Sequence, residues 1–284
     1  MRWKGGRRSD NVEDRRGMSV AKGAAGGGIG VVLIAVVAML FGVDPSQILN
    51  QFTTSDDTTQ NSATPATSKV SDELGEFVSV VLADTEDTWH ELFRQMGRTY
   101  TEPKLVLFTG AVQSACGYAQ SATGPFYCSG DQKVYIDLGF YNDLKNRFKA
   151  PGDFAQAYVI AHEIGHHVQN LLGILPQVHE ARSQADKVTA NALLVKLELQ
   201  ADCLAGVWAY HADKARNVVE AGDVEEALRA ASSIGDDRLQ MQAQGYVVPD
   251  AFTHGTSEQR ARWFTQGLKS GNPNMCNTFQ AKNL

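Results

Sequence analysis

No C-x-x-C pair occurs in the 284 residues, and only four cysteines are present. A zinc site built from cysteine alone is therefore poorly supported. No internal repeat is visible. Gly26-Gly-Gly-Ile-Gly30 lies inside an apolar stretch and suits membrane helix packing better than a phosphate loop. Basic charge is scarce over most of the chain. Residues 1–22 hold seven basic and three acidic side chains, which leaves 19 basic and 29 acidic for the rest. An acidic main body argues against nucleic acid as the partner.

Two other absences divide the chain. From Gly23 to Val43 there is no charged residue. At 1.5 Å per residue such a stretch roughly matches a bilayer core of about 30 Å. It is read as an uncleaved transmembrane anchor rather than a signal peptide. The one small-residue cleavage pattern, Ala35-Val-Val-Ala38, falls inside the apolar run. Residues 53–69 contain no large apolar side chain and read as part of a polar tether. The expected organisation is a basic cytoplasmic segment (1–22), an anchor (23–43), a flexible linker (44–69) and a folded domain (70–284). Basic residues before the span place the N-terminus in the cytoplasm and the domain in the periplasm or outside.

All four cysteines follow the span, in a compartment that oxidises thiols. Three pairings are possible. Cys116–Cys128, bracketing a Gly/Ser-rich loop, and Cys203–Cys276, tying the tail to a central helix, are preferred. Buried free thiols are the alternative.

The domain begins with a helical pattern from Ser71 to Arg98. Strand patterns follow at Lys104–Phe108, Phe126–Cys128 and Lys133–Asp137. Later helices are expected from Asp153, as N-cap, to about Gly173, from Asn191 to Ala215, and near Val224–Ile234. A capping box at Thr256-Ser-Glu-Gln259 opens a last helix. A small sheet followed by helices predicts an α+β domain.

The helix expected from Asp153 to about Gly173 carries His162-Glu-Ile-Gly-His166. Histidines four apart on a helix project from one face, so two imidazoles reach one metal ion. Glu163 between them is placed for a water activated by that ion. Zinc needs a third protein ligand and one open position. Glu198 is the best candidate, and Asp202, one turn on, suits a hydrogen bond to a histidine ligand's other nitrogen. Carboxylates in the apolar run 193–206 are otherwise hard to explain, because burial disfavours them unless paired or metal-bound. Gly165 lets that second helix come close. His167 sits roughly 100° around the helix from His166 and is read as a packing residue. Trp208 and Tyr210 are assigned to the core, and His90, His179 and His211 to surface or core.

The start Met1-Arg-Trp…Ser9-Asp-Asn-Val-Glu-Asp-Arg-Arg16, the apolar span, His162–His167, Glu198-Leu-Gln-Ala-Asp-Cys-Leu-Ala-Gly-Val-Trp208 and Thr253-His-Gly-Thr-Ser-Glu-Gln-Arg260 carry a resemblance. Over nearly its whole length the chain resembles the "putative neutral zinc metallopeptidases" of bacteria, single-pass inner-membrane proteins. The resemblance implies a zincin-like metallopeptidase domain with Zn2+ on His162, His166 and Glu198, and a peptide or protein substrate. Glu163 is then the general base. His254, in a Gly-containing loop, is the candidate oxyanion donor, with a capping or solvated histidine as the alternative and Tyr135 as a weaker donor. Phe126–Cys128 or Lys133–Asp137 is a candidate edge for an extended substrate. The competing expectation is a non-catalytic zinc-containing module that binds envelope proteins. No specific protein partner is inferable.

Overall fold

The computed structural model describes residues 1–17 and 72–284, which form one compact unit. The expected anchor 23–43 and the whole of the linker 44–69 lie outside the described residues. Among the described residues no helix is long and apolar enough to cross a membrane.

A four-stranded sheet runs β1 (Val12–Asp14), β2 (Lys104–Phe108), β6 (Lys133–Asp137), β5 (Phe126–Cys128) in spatial order. The first three strands are parallel, and β5 is antiparallel to β6. β3 (Ala111–Ser114) and β4 (Gly117–Gln120) form a separate hairpin. Period-two alternation sorts the strands' side chains. Leu105, Leu107, Val134 and Ile136 enter the main core, whereas Val106, Phe108 and Tyr135 join a smaller cluster on the other face. Both flanks of β6 are paired, so Lys133–Asp137 offers no free edge. Phe126–Cys128 is an edge strand.

Eight α-helices are found among the described residues. They are α1 (Glu73–Gln95), α2 (Gly139–Asn146), α3 (Asp153–Leu171), α4 (Ile174–Ser183), α5 (Lys187–Arg216), α6 (Asp223–Ser233), α7 (Asp236–Gln244) and α8 (Ser257–Ser270). α3 is buried around its circumference, with Phe154, Tyr158, Ile160, Ile164 and Val168 all inaccessible. Asp153 is its first residue rather than its cap. Gly152 occupies the cap position, and the Phe154 amide donates instead to Glu226 of α6 at 3.1 Å. The capping box at Thr256 and Gln259 is present.

Small residues let the helices touch. A Cβ on Gly165 would lie 3.0 Å from the Ala201 carbonyl oxygen of α5, and one on Gly267 of α8 only 1.9 Å from that of Cys203. Disulfides join Cys116 to Cys128 and Cys203 to Cys276. The first ties the β3–β4 turn to the edge strand. The second pins the tail to α5.

Residues 1–17 correct the expected separate segment 1–22, because they belong to the fold. β1 pairs with β2 in the register Val12↔Leu105, Glu13↔Val106 and Asp14↔Leu107. Three residues with one apolar side chain carry too little pattern for a strand to be read from sequence.

Candidate metal centre

α3 and α5 lie side by side and supply every residue of the centre. His162 Nε2 is 3.2 Å from one Glu198 carboxylate oxygen, and His166 Nε2 is 3.3 Å from the other. Donors at about 2.0–2.2 Å around a tetrahedral ion stand roughly 3.4 Å apart, so this spacing fits zinc. Three side chains offering one atom each gather within 4.8 Å.

The remaining ring nitrogens fix which atoms face that point. His162 Nδ1 is 2.9 Å from Asp202 Oδ1, and His166 Nδ1 is 2.9 Å from the Gln169 side-chain oxygen. Both nitrogens act as donors there, leaving each Nε2 as the atom with a free lone pair. Asp202 is fully buried and also accepts from Tyr158 Oη and from Arg260 Nε at 2.8 Å. Gln169 is held in turn by its amide, which donates to the Leu197 carbonyl at 2.7 Å. Tyr158 and Gln169 escape the sequence reading, since each is ordinary in its local pattern, and Arg260, noted only near His254, is joined to Asp202 by the fold.

Electrostatics follow from this packing. Burial works against a charged His162 ring, but Asp202 and Glu198 outweigh it and hold its pKa up at about 10 without metal. His166 is also raised, with Glu198 overcoming burial. Glu198 lies well below the usual carboxylate range, since His166 and His162 outweigh its desolvation. Burial pushes Glu163 up, partly offset by the two histidines. A metal must displace the protons on raised imidazoles. At pH 7, zinc uptake is therefore expected to release at least one proton, and its apparent affinity to fall as pH falls. Calorimetry in buffers of different ionisation enthalpy reads this directly, and a buffer-independent heat contradicts it.

The centre opens into a cleft of about 620 Å³. Phe126, Tyr127, Phe140, Leu175, Leu239 and His254 are among its lining residues. Glu163 lines it too, and among the described residues no side chain or amide hydrogen-bonds its carboxylate. His254 is half-exposed there, with Nδ1 3.2 Å from Asp236 Oδ1. Asp236 Oδ2 also accepts the backbone amides of Thr253, His254 and Gly255 at 2.6–3.1 Å. Burial disfavours His254's charge, but Asp236 and Glu198 raise its pKa.

One other expectation changes. Tyr135 donates to Asp131 at 2.6 Å and belongs to the cluster on the far face of the sheet, away from the cleft lining. His179 is a surface residue, as expected, and lines the cleft. His167 is buried between Tyr127 Oη (2.9 Å) and the Thr101 carbonyl (2.6 Å), outside the ligand group. His90 pairs with Glu102, and His211 donates to the Gly271 carbonyl. Trp208 is a core residue, as expected, and donates to Asp84.

Helix-borne imidazoles and a carboxylate from a neighbouring helix, beside a small sheet, form a group that could hold a metal ion. The chain belongs to the family described as "Putative neutral zinc metallopeptidase", which it matches over residues 1–279. It is 51% identical over 288 residues to the uncharacterized protein YpfJ of Escherichia coli K12, covering 98% of this chain and 99% of that protein. It is 40% identical over 261 residues to the uncharacterized protein Rv2575 of Mycobacterium tuberculosis H37Rv, covering 87% and 86%. No solved structure matches.

Proposed function

We propose that the chain is a membrane-attached zinc peptidase in which Glu163 acts as general base and then general acid. The observation that carries this reading is the Glu163 carboxylate, buried beside the ligand pair, open to the cleft and raised in pKa by its burial. A carboxylate tuned upward takes and returns a proton more readily near neutral pH. Zinc bound by His162, His166 and Glu198 supplies Lewis acidity and brings the pKa of its water toward about 7.

Glu163 takes the proton of the attacking water and delivers it to the leaving amine. His254 faces the same cleft with Nδ1 turned to Asp236, and Nε2 donates to the oxygen that gains charge when the ring is protonated, the state that Asp236 and Glu198 favour. The edge strand β5 supports binding of an extended substrate by strand addition. Its Tyr127 is fastened to α3 through His167 and Asn170, which fixes the strand relative to the centre. A purely structural site has no need of a buried general base, and this separates the reading from a non-catalytic module. The test is digestion of a broad peptide library by the full chain, before and after chelation and with zinc restored. Cleavage should vanish and return. Cleavage indifferent to the chelator, or none from zinc-loaded protein, overturns the reading.

A further inference from the structure

We propose that residues 1–17 and residues 72–284 lie on the same side of the membrane. This inference is independent of the activity. It rests first on backbone pairing. The Leu105 amide donates to the Asn11 carbonyl and the Arg15 amide to the Leu107 carbonyl, both at 2.8 Å. These bonds add β1 to the sheet whose far edge is β5.

Side chains make the same connection. Val12 is buried in the main core, and the Trp3 ring meets Phe77 of α1 edge-on with centroids 5.4 Å apart. Gly6 approaches α1 so closely that a Cβ would sit 2.7 Å from Val80 Cγ1. Glu86 of α1, 1% exposed, accepts from Arg7 and Asn11 at 2.9 Å and from Ser9 at 2.5 Å.

Basic residues before the span favour a cytoplasmic N-terminus when they face lipid and water. Here Lys4 pairs with Glu73, Arg7 with Glu86 and Asp87, Arg8 with Glu76, and Arg16 with Asp72. Those partners all lie on α1 or its cap. Four of the six basic side chains in residues 1–17 thus pair with α1 or its cap, while Arg2 pairs with Glu220 and Arg15 with Glu13.

Connectivity closes the case. Arg16 and Asp72 flank the intervening chain, and their side chains are 2.5 Å apart. A bilayer core is about 30 Å thick, so such a pair cannot straddle it. A second crossing to bring the chain back would need about 20 further apolar residues. Residues 44–71 include Asp44, Asp56, Asp57 and Lys69 and the polar run 53–69, so they hold no such stretch.

The test uses the full chain in the membranes of cells producing it. Lys4→Cys and Arg229→Cys each add one thiol at an exposed surface position. Each is treated with a membrane-impermeant maleimide on intact spheroplasts, after permeabilisation and after denaturation, with the parent protein as blank. Both thiols should become reactive under the same condition, whichever side that is. Labelling of one on intact spheroplasts and of the other only after permeabilisation overturns the proposal. In a second measurement, Lys4→Cys with Glu73→Cys is treated in the same membranes with a short permeant bis-maleimide. A cross-linked loop, seen as a mobility shift, is expected. Two thiols that both react yet never cross-link overturn it.

Discussion

Glu198→Ala should purify without zinc while Glu163→Gln and His254→Ala retain it. Loss of an outer partner of a ligand typically lowers metal affinity roughly 10–100-fold. Glu198 is one of only three ligand groups gathered at the centre among the described residues, so its removal should exceed that range. A partial compensation runs the other way. Glu198 also raises both imidazoles, so in its absence they hold their protons less tightly and compete less against the metal. Loss of a direct bond outweighs that relief. Elemental analysis after dialysis against a weak chelator decides the matter. Wild-type zinc content in Glu198→Ala would remove Glu198 from the ligand set.

The second large effect belongs to Asp202→Ala, and it should appear in stability as well as in metal content. Asp202 is inaccessible and joins His162, Tyr158 and Arg260. Arg260 is itself 2% exposed and makes its short contacts to Asp202 and Tyr158. Removing the carboxylate leaves a buried guanidinium without its counter-charge, which typically costs about 3–5 kcal/mol. Deleting only the zinc partnership would cost metal affinity and little else. Denaturant unfolding with and without zinc separates the two. A chelated Asp202→Ala protein as stable as chelated wild type would refute the buried ion pair. Arg260→Met with Asp202→Leu should recover part of the stability without recovering zinc.

Burial of the same carboxylate also has a pH signature. Asp202 is held down at about 2 because Arg260 and His162 outweigh its desolvation. A depressed carboxylate contributes stability above its unfolded pKa of about 3.9 and loses it as pH falls toward 2. His162 carries the opposite sign. Its contribution to the zinc-free fold is complete below about 6.5 and fades as pH rises through about 10.

The centre was legible because its chemistry is written in helical spacing. His162, His166, Glu198 and Asp202 follow the four-residue turn on two helices, and buried charge on apolar helices demands an explanation. Gln169 and Asp236 were not legible. Gln169 is one more polar residue three positions after His166. Asp236 opens α7 beside Asp237, where acidic residues are common for the helix dipole alone. Its tie to His254 crosses 18 residues and exists only in the folded chain. The strand β1 failed for a different reason. Its pairing is non-local, and the basic residues around it resemble a topological signal until α1 and its cap supply carboxylates for Lys4, Arg7, Arg8 and Arg16. The lesson from residues 1–17 is that a charge run needs its neighbours before it can be assigned to solvent or lipid.

One measurement bears most directly on the catalytic reading. Zinc-loaded wild type and Glu163→Gln, matched for metal content, are incubated with the same peptide library and the products counted by mass spectrometry. General acid–base catalysis is worth about 10²–10⁴-fold, so the variant should cleave slower by that order while holding the same zinc. Equal cleavage by the two proteins would contradict the role assigned to Glu163 and with it the account of this centre as a peptidase.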